Sequence, residues 1–513
     1  MELAASGKGV VQEATAPPFV EAHETHTGVV VLAGDRAFKA KKPVYTDFLD
    51  FRAVHQRETA CVREVELNTR LAPDSYFGVA HLHGPVGVDR EPVIVMRRYH
   101  DEDRLASLVK RGVAVEHVLD RIALRLVEFH DRAERSRHIS SQGKPAAISQ
   151  RWLDNFSTLQ RHVGTAVPAE SLRRLRDLAA EYVAGRAGLF TKRIEAGCIV
   201  DGHADLLADD IFWVDGRPVL LDCLEFNDEL RYLDRIDDAA FLAMDLEFLG
   251  REDLGNLFLD RYAAHSGDGA PRSLRDFYIA YRAVVRAKVD CVRLSQGNGA
   301  AEGAAAHHLA IALRHLENGG VRLVLVGGGP GTGKSTLARK LAADVGAEVV
   351  STDDVRQELR GSGRIGGEPG SLDQGLYAPV NVSAVYEEAL RHAGLLLAEG
   401  RSVILDGTWR APQLRTLARQ LATDRRAAIV EIQCVLPAEV AANRIRTRPP
   451  GNSDATPQIG TALSAEVAHW PQAHRIDTSM PRDQCDRQAI HLWRAAIRPT
   501  LGPHSRKEGG HDD

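Results

Sequence analysis

Cysteine is sparse and scattered in this 513-residue chain. Cys61, Cys198, Cys223, Cys291, Cys434 and Cys485 form no C-x-x-C pair. That pattern excludes a disulfide framework and a paired-cysteine zinc site, and it implies free thiols in a reducing cytoplasm. Long apolar runs are missing too. No stretch reaches the ~20 residues of a membrane span, and Met1–Pro18 lacks the apolar run of a signal peptide. The expectation is a cytoplasmic protein without membrane association. Charge of one sign is not in excess either: a net charge of −5 offers no electrostatic reason for general nucleic-acid or acidic-membrane binding. No internal repeat is visible. What is present, 44% hydrophobic and 26% charged residues, is the composition of a soluble globular protein. The chain is too long for one ordinary core, so two or three domains are expected.

Met1–Pro18 is small and polar and reads as a loose arm. Val29–Leu32, a Gly34-Asp35 turn and Arg36–Lys42 predict a hairpin. Arg57–Leu71 carries Cys61, Val65, Asn68 and Leu71 at helical spacing, and Val93–Met96 reads as a short strand. Leu105–Arg135 reads as one helix with Val115, Val118, Leu119, Ile122, Leu126 and Phe129 on an apolar stripe. Short strands follow in Asp201–Phe226, then long helices at Asp238–Leu249, Leu274–Leu294 and Ala304–Leu316. Asn318-Gly319-Gly320 breaks the helical run, which puts a domain boundary near it. Beyond it, Val321–Val326, Glu348–Ser351, Ser402–Asp406 and Ala428–Leu436 alternate with helices, the pattern of a parallel sheet wrapped by helices. Gly361–Gly370 reads as a flexible insert, Arg448–Ala462 as a Pro/Gly/Thr-rich loop and His504–Asp513 as a polar tail.

The most specific motif lies between the first of those strands and a helix. Gly328, Gly329, Pro330, Gly331, Thr332, Gly333, Lys334, Ser335 and Thr336 satisfy G-x-x-x-x-G-K-[ST] in strand–helix context. Such glycines let backbone N–H groups converge on phosphates at a helix N-terminus, where the dipole favours negative charge. Lys334 would reach the β/γ-phosphates of ATP and Ser335 would hold Mg²⁺. At the tip of the second strand stand Ser351, Thr352, Asp353, Asp354 and Arg356. Ligands in open α/β sheets sit beyond the carboxyl ends of strands, so one of these two carboxylates is placed to take a hydroxyl proton and Arg356 to meet a phosphate. The competing reading of Asp353 is a helix cap. Asp406 ends an apolar strand, the position of a Mg²⁺ carboxylate partner of Ser335, with Thr408, Arg410 and Arg415 after it. Arg444 and Arg448 lead into the flexible loop and suit a lid that neutralises transition-state charge; a solvated basic helix face is the plain alternative.

Together, from about Val321 to Thr478, these residues resemble the P-loop kinases that include polynucleotide 5′-kinases and gluconate and shikimate kinases. The segment Thr352–Arg356 is nearest the polynucleotide-kinase branch, with the spacing one residue shorter. The resemblance implies Asp353 as general base and Arg356 as a phosphate contact.

The N-terminal half holds a second set. Asp201-Gly202-His203-Ala204-Asp205 and, five residues on, Asp210 approximate H-x-D-x-x-x-x-N, in which the Asp receives a hydroxyl proton and the last residue holds metal. Aspartate, a hard oxygen donor, serves at the Asn position. Asp222 ends the strand Leu220-Leu221 and would supply the second metal carboxylate. In the hairpin, Lys39 and Lys41 share one face; one of them, preferably Lys39, would pair with ATP phosphates and with Glu64. Glu225 and Asn227 lie close enough in sequence to meet an acceptor. His130 reads as a helix C-terminal dipole partner. His23 and His26 read as surface or packing residues, and Trp152, Trp213 and Trp409 as packing residues.

This half, about Glu21 to Gln296, resembles aminoglycoside/choline-kinase-like phosphotransferases, and in particular a bacterial group that fuses such a domain to a P-loop kinase. Lys39–Lys42-Pro43, Phe48-Leu49-Asp50-Phe51 and Asp222–Asn227 carry the likeness. Ala204 in place of Gly, Leu207 in place of His and Asp210 in place of Asn depart from it. The resemblance implies that Asp238 braces the catalytic loop.

The expected architecture is α/β and α+β: an arm over residues 1–20, a bilobal protein-kinase-like domain over 21–316, a P-loop α/β domain with a parallel sheet over 317–500, and a tail over 501–513. The expected activity is ATP- and Mg²⁺-dependent phosphoryl transfer by two modules to hydroxyls of small, sugar-, aminosugar- or polyol-like molecules. Two rivals stand beside it. One is a polynucleotide 5′-kinase-like activity of the C-terminal domain. The other is an ATP-binding regulatory protein with a non-catalytic kinase-like half, suggested by Ala204 and Asp210.

Overall fold

A computed structural model describes residues 20–24, 27–46, 49–83, 90–368, 373–447 and 469–497. The N-terminal arm, His26, Phe48, the whole loop Arg448–Ala462 and the C-terminal tail lie outside the described residues. The chain divides into two compact units, Met1–Arg125 with His203–Arg231, and Leu126–Gly202 with Tyr232–Asp513.

The first unit is built on an antiparallel sheet of order β1-β2-β3-β7-β6: β1 (Val20–Glu24), β2 (Gly28–Ala33), β3 (Arg36–Lys41), β6 (Tyr76–Leu82) and β7 (Glu91–Arg97). Two-residue strands β4 (Tyr45–Thr46) and β5 (Leu49–Asp50) pair after β3. The β2–β3 hairpin forms at the predicted Gly34-Asp35 turn, where Gly34 takes a left-handed φ of 59°. Strand alternation turns Ala37, Ile94 and Met96 inward against Cys61 of the helix Val54–Asn68, and Phe212 and Leu221 close the same cluster. Phe212 lies on β9 (Ile211–Val214), which pairs with β10 (Arg217–Leu220), the strand that delivers Asp222.

The expected single helix from Leu105 is two, Leu105–Lys110 and Glu116–Arg132. Gly112 sits between them at φ 70°, a conformation that ends a helix cheaply only at glycine. Strands β1 and β6, the two sheet edges, have exposed and mixed faces without the clean alternation that marks a strand in sequence.

The second unit joins a helical layer to a parallel sheet. Helices Pro145–Gln160, Ala169–Gly185, Arg235–Phe248, Arg272–Ser295 and Ala301–Gly319 pack together, with a small antiparallel pair, β8 (Ile199–Asp201) and β11 (Tyr232–Asp234). The sheet comprises β12 (Arg322–Gly327), β13 (Glu348–Ser351), β14 (Val403–Asp406), β15 (Ala428–Val435) and β16 (His474–Asp477), in the order β13-β14-β12-β15-β16 and parallel throughout. Every residue of β12 and β14 is buried, which explains their unbroken apolar runs. Each fully buried Val, Leu or Ile contributes about 1.5–3 kcal/mol, so these two strands anchor the domain. Register aligns Val326, Ser351 and Asp406 at the carboxyl ends of three neighbouring strands. Functional groups placed there share one edge of the sheet.

The segment read as a flexible insert is partly held. The helix Thr352–Gly361 runs into it, and Asn381 Nδ2 donates to the carbonyls of Gly366 and Gly375. Among the described residues no helix is long and apolar enough to cross a membrane.

Candidate functional site

In the second unit the P-loop leaves β12 and turns into the helix Lys334–Val345. Gly328, Gly331 and Gly333 have φ of 142°, 79° and 87°, which a β-carbon would strain. Close approach adds a second reason: a β-carbon at Gly331 would lie 2.5 Å from the Ala441 carbonyl oxygen. Thr332 Oγ1 donates to the Gly329 carbonyl at 2.8 Å, and Thr478 Oγ1 donates to the Thr332 carbonyl at 2.6 Å, so the turn is held from inside and from β16. Gly329 and Pro330 complete this turn, and Ser335 and Thr336 follow Lys334 in the first helical turn. Arg444 lies beside Gly333 and donates to the Thr478 carbonyl at 2.9 Å.

Asp406, at the end of β14, is the electrostatic centre of this site. Burial pushes its carboxyl above the usual range, Lys334 and Ser335 pull it back, and Asp353 pushes it up again. Its Oδ1 is buried and has no hydrogen-bond partner among the described residues. An orphaned buried carboxylate oxygen beside a serine hydroxyl is the donor set a hard divalent cation requires, so these residues fit Mg²⁺. The loop after Asp406 is fixed by Tyr386, whose phenolic oxygen accepts from the backbone N–H of Thr408 and of Trp409, both at 3.0 Å. Trp409 is fully buried at φ 52°, a strained conformation that those bonds maintain.

Asp353 and Arg356 lie on the first turns of the helix Thr352–Gly361 and pair at 2.6 Å. The cap of this helix is Ser351, whose hydroxyl accepts from the Asp353 N–H, so Asp353 is not the cap. Arg356 is buried with its guanidinium over the Tyr377 ring at 4.7 Å. Arg415 is occupied elsewhere: it is buried and donates to the carbonyls of Trp409 and His469.

The first unit assembles the other set. Lys39 Nζ lies 2.8 Å from Glu64 Oε1 and 2.5 Å from Asp222 Oδ1. Burial opposes the Lys39 charge, but Asp222 and Glu64 outweigh it and hold its pKa well above the usual value. Asp222 has φ 65° and its N–H donates to the Tyr76 phenol at 3.3 Å. Burial works against its ionisation; Lys39 overcomes this and lowers its pKa. Asp210 stands in the opposite state: burial, then Asp222 and Asp205, push its carboxyl well above the usual range. Asp210 and Asp222, two hard-oxygen donors whose charges repel each other beside the Lys39 ammonium, are the residues that would hold a divalent ion.

His203 positions the loop. Its Nε2 lies 3.0 Å from the Leu221 carbonyl and must donate, so its Nδ1 accepts the Asp205 N–H at 3.3 Å. Ala204 between them has φ 68°, so the replacement for glycine sits in a left-handed conformation. Glu225 pairs with Lys41, and the exposed Asn227 accepts from the Glu229 N–H through its Oδ1. A charged carboxylate buried beside an ammonium is more stable than one left unpaired.

His130, in the last turn of its helix, is fully buried, with Nε2 3.0 Å from Asp238 Oδ2 and Nδ1 2.7 Å from the Tyr262 hydroxyl. Asp238 presses against Gly202, where a β-carbon would lie 2.6 Å from its Oδ2. Sequence reasoning missed Tyr76, Tyr386 and the Asn68 side chain, which accepts the Cys223 N–H at 2.9 Å. Helical spacing of Glu64 and Asn68 was the only available signal.

Comparison with known proteins follows these two sets. Residues 323–464 match the family model described as AAA domain. The "Uncharacterized protein Rv2004c" of Mycobacterium tuberculosis (strain ATCC 25618 / H37Rv) is 62% identical over 483 residues, 94% of this chain and 97% of the relative. "Uncharacterized protein Mb2027c" of Mycobacterium bovis matches to the same extent. The chain belongs to the family of these mycobacterial proteins. Among solved structures, a choline/ethanolamine kinase family protein from Mesorhizobium loti is 16% identical, covering 60% of this chain and 92% of its own, with a TM-score of 0.36. The Mycobacterium tuberculosis APS kinase CysC, in complex with AMPPNP and APS, is 18% identical, covering 34% of this chain and 95% of its own, with a TM-score of 0.25.

Proposed function

We propose that this protein is an ATP- and Mg²⁺-dependent phosphotransferase with two phosphoryl-transfer modules acting on hydroxyls of small polar molecules, of sugar, aminosugar or polyol type. The observation that carries it is the electrostatic convergence of Lys334, Ser335, Asp353 and the orphaned Asp406 at the carboxyl edge of a parallel sheet. The Lys39–Glu64–Asp222 chain supports the same chemistry in the first unit.

In the P-loop module Lys334 and the glycine turn hold the phosphates, and Ser335 and Asp406 hold the metal. Bound there, Mg²⁺ supplies neutralisation of phosphate charge. Arg356 orients the Asp353 carboxylate, which takes the proton of an acceptor hydroxyl. Arg444, at the edge of the loop, and Arg448 would approach the transferring group. In the first unit Lys39 meets the phosphates, Asp210 and Asp222 hold metal, and Asp205 receives the hydroxyl proton. Positioning and charge neutralisation account for most of the rate in such a transfer.

Single-turnover assays with γ-labelled ATP and a mixed metabolite pool, read by mass spectrometry, test the proposal. Lys334→Ala is expected to abolish transfer by the P-loop module while Asp205→Asn spares it. Equal loss in both variants, with folding intact, would show that the two sites do not act independently. Label recovered only as inorganic phosphate would remove the acceptor-transfer reading.

A further inference from the structure

Strand β3 delivers two ammonium groups to one carboxylate, and the second has no role in the mechanism above. Lys39 and Lys41, two residues apart, project from the same face. Lys39 takes Glu64 Oε1 at 2.8 Å, and Lys41 takes Glu64 Oε2 at 2.5 Å. Each lysine then grips a different carboxylate of one short loop: Lys39 binds Asp222 Oδ1 at 2.5 Å and Lys41 binds Glu225. Glu64 is therefore shared, one oxygen to each lysine.

The two lysines are not equivalent. The Lys39 side chain is 14% exposed and its partner Asp222 is 37% exposed. The Lys41 side chain is 2% exposed, between Glu64 at 0% and Glu225 at 10%, with the Phe51 ring 5.6 Å from its ammonium. Only Lys39 is open to a ligand. Were Lys39 the sole partner of Glu64, turning it fully to a phosphate would leave a buried glutamate unpaired. Here Lys41 stays on Glu64, so Lys39 exchanges Asp222 for a phosphate oxygen without stranding a buried charge.

The loop between Asp222 and Glu225 is braced at each step. Cys223 N–H donates to Asn68 Oδ1 at 2.9 Å, Asn68 Nδ2 donates to the Glu64 carbonyl at 2.9 Å, and Leu224 N–H donates to the His203 carbonyl at 3.1 Å. Asp222 itself holds a left-handed φ of 65°, which a non-glycine residue keeps only where its surroundings impose it. Three residues beyond it, the Lys41–Glu225 pair is the buried end of that brace.

We propose that Lys41 and Glu225 form a fixed strut that holds Asp222 in its metal-binding position, leaving Lys39 alone to contact nucleotide. Lys41 is a positioning residue and touches no phosphate. The strut rests on the reading that the first unit binds Mg·ATP.

The test uses the full chain in a Lys334→Ala background, so that only the first unit binds nucleotide. Calorimetric ATP titrations are run at saturating Mg²⁺ and across a Mg²⁺ series. Lys39→Met should weaken ATP binding about tenfold or more at saturating Mg²⁺. Lys41→Met and the isosteric Glu225→Gln should keep ATP affinity there within about threefold yet raise the Mg²⁺ needed for half-saturation by about 10–100-fold, the usual cost of removing a partner behind a metal ligand. The double variant should be no worse than either single one. If Lys41→Met fails to fold, Glu225→Gln carries the test alone. Loss of ATP affinity at saturating Mg²⁺ in Lys41→Met or Glu225→Gln would overturn the strut, as would an unchanged Mg²⁺ requirement. No saturable ATP uptake in Lys334→Ala alone would overturn the underlying reading, and is seen before any strut variant is made.

Discussion

Asp406 shows how one carboxylate ties stability to ligand binding. Its oxygen without a partner is buried at the end of β14, and burial raises its pKa above the ordinary carboxylate range. The folded protein therefore keeps that proton to higher pH than the unfolded chain does. The sign follows from linkage: its contribution to stability is fully present below the unfolded pKa and is lost as pH rises through the folded one. We predict that Asp406→Asn flattens this part of the stability–pH curve in metal-free buffer. Above the transition the variant should be more stable than the parent by about 1–3 kcal/mol, the cost of an unsatisfied buried polar group. Thermal melts in chelator across pH 4–8 check it; a variant curve parallel to the parent's would refute the assignment. Added Mg²⁺ should stabilise the parent more than the variant.

Elements place such residues where their own backbones are strained. Ala204 connects His203 to Asp205 at φ 68°, a conformation that costs a non-glycine residue about 1–2 kcal/mol. Ala204→Gly removes that strain but adds unfolded-state freedom of about 0.4–1 kcal/mol, so a net gain between about zero and about 1.6 kcal/mol is expected. Denaturant melts measure it, and a destabilised variant would show that the alanine methyl packs usefully in its buried position. How far the elements were legible in sequence depended on their patterning. The buried runs of β12 and β14 and the Gly34-Asp35 hairpin stood out because burial on both faces, or strict turn chemistry, leaves a local signature. The edge strands β1 and β6 did not, since half-exposed edges accept almost any residue. The break at Gly112 was missed because an apolar stripe continued on both sides of it.

Within the second unit, the helical layer and the parallel-sheet layer share a buried guanidinium. Arg186 is 1% exposed and donates to the carbonyls of Gly185, Leu397 and Arg425, at 2.8, 2.6 and 2.9 Å, and to that of Arg426. The Leu397, Arg425 and Arg426 carbonyls lie at the ends of the helices Pro379–Ala398 and Pro412–Asp424, and Gly185 ends the helix Ala169–Gly185; terminal carbonyls of a helix lack intrahelical partners. Burial, only partly offset by Tyr182, lowers the Arg186 pKa to about 10. Ser273 adds a bond to the Gly400 carbonyl at 2.6 Å, and Lys192 pairs with Glu399. Arg186→Leu should strand several carbonyls at once and cost about 3 kcal/mol or more. Melting followed by two probes, one per layer, checks this; a loss under about 0.5 kcal/mol, typical of surface changes, would show that the seam is incidental.

The amino-acid sequence by itself determined the glycine-rich turn, the parallel strand–helix alternation and the candidate acids, because each is written in residues close along the chain. Glycines at positive φ, apolar runs and an acid at a strand tip are local demands of the backbone and of burial. Only the tertiary structure decided which charges share a site. Lys39 meets Asp222 across 183 positions, and Arg186 meets carbonyls more than 200 positions away. Such pairings leave no periodicity in the chain. They exist because a buried charge must find its partner wherever the packed core brings one within reach.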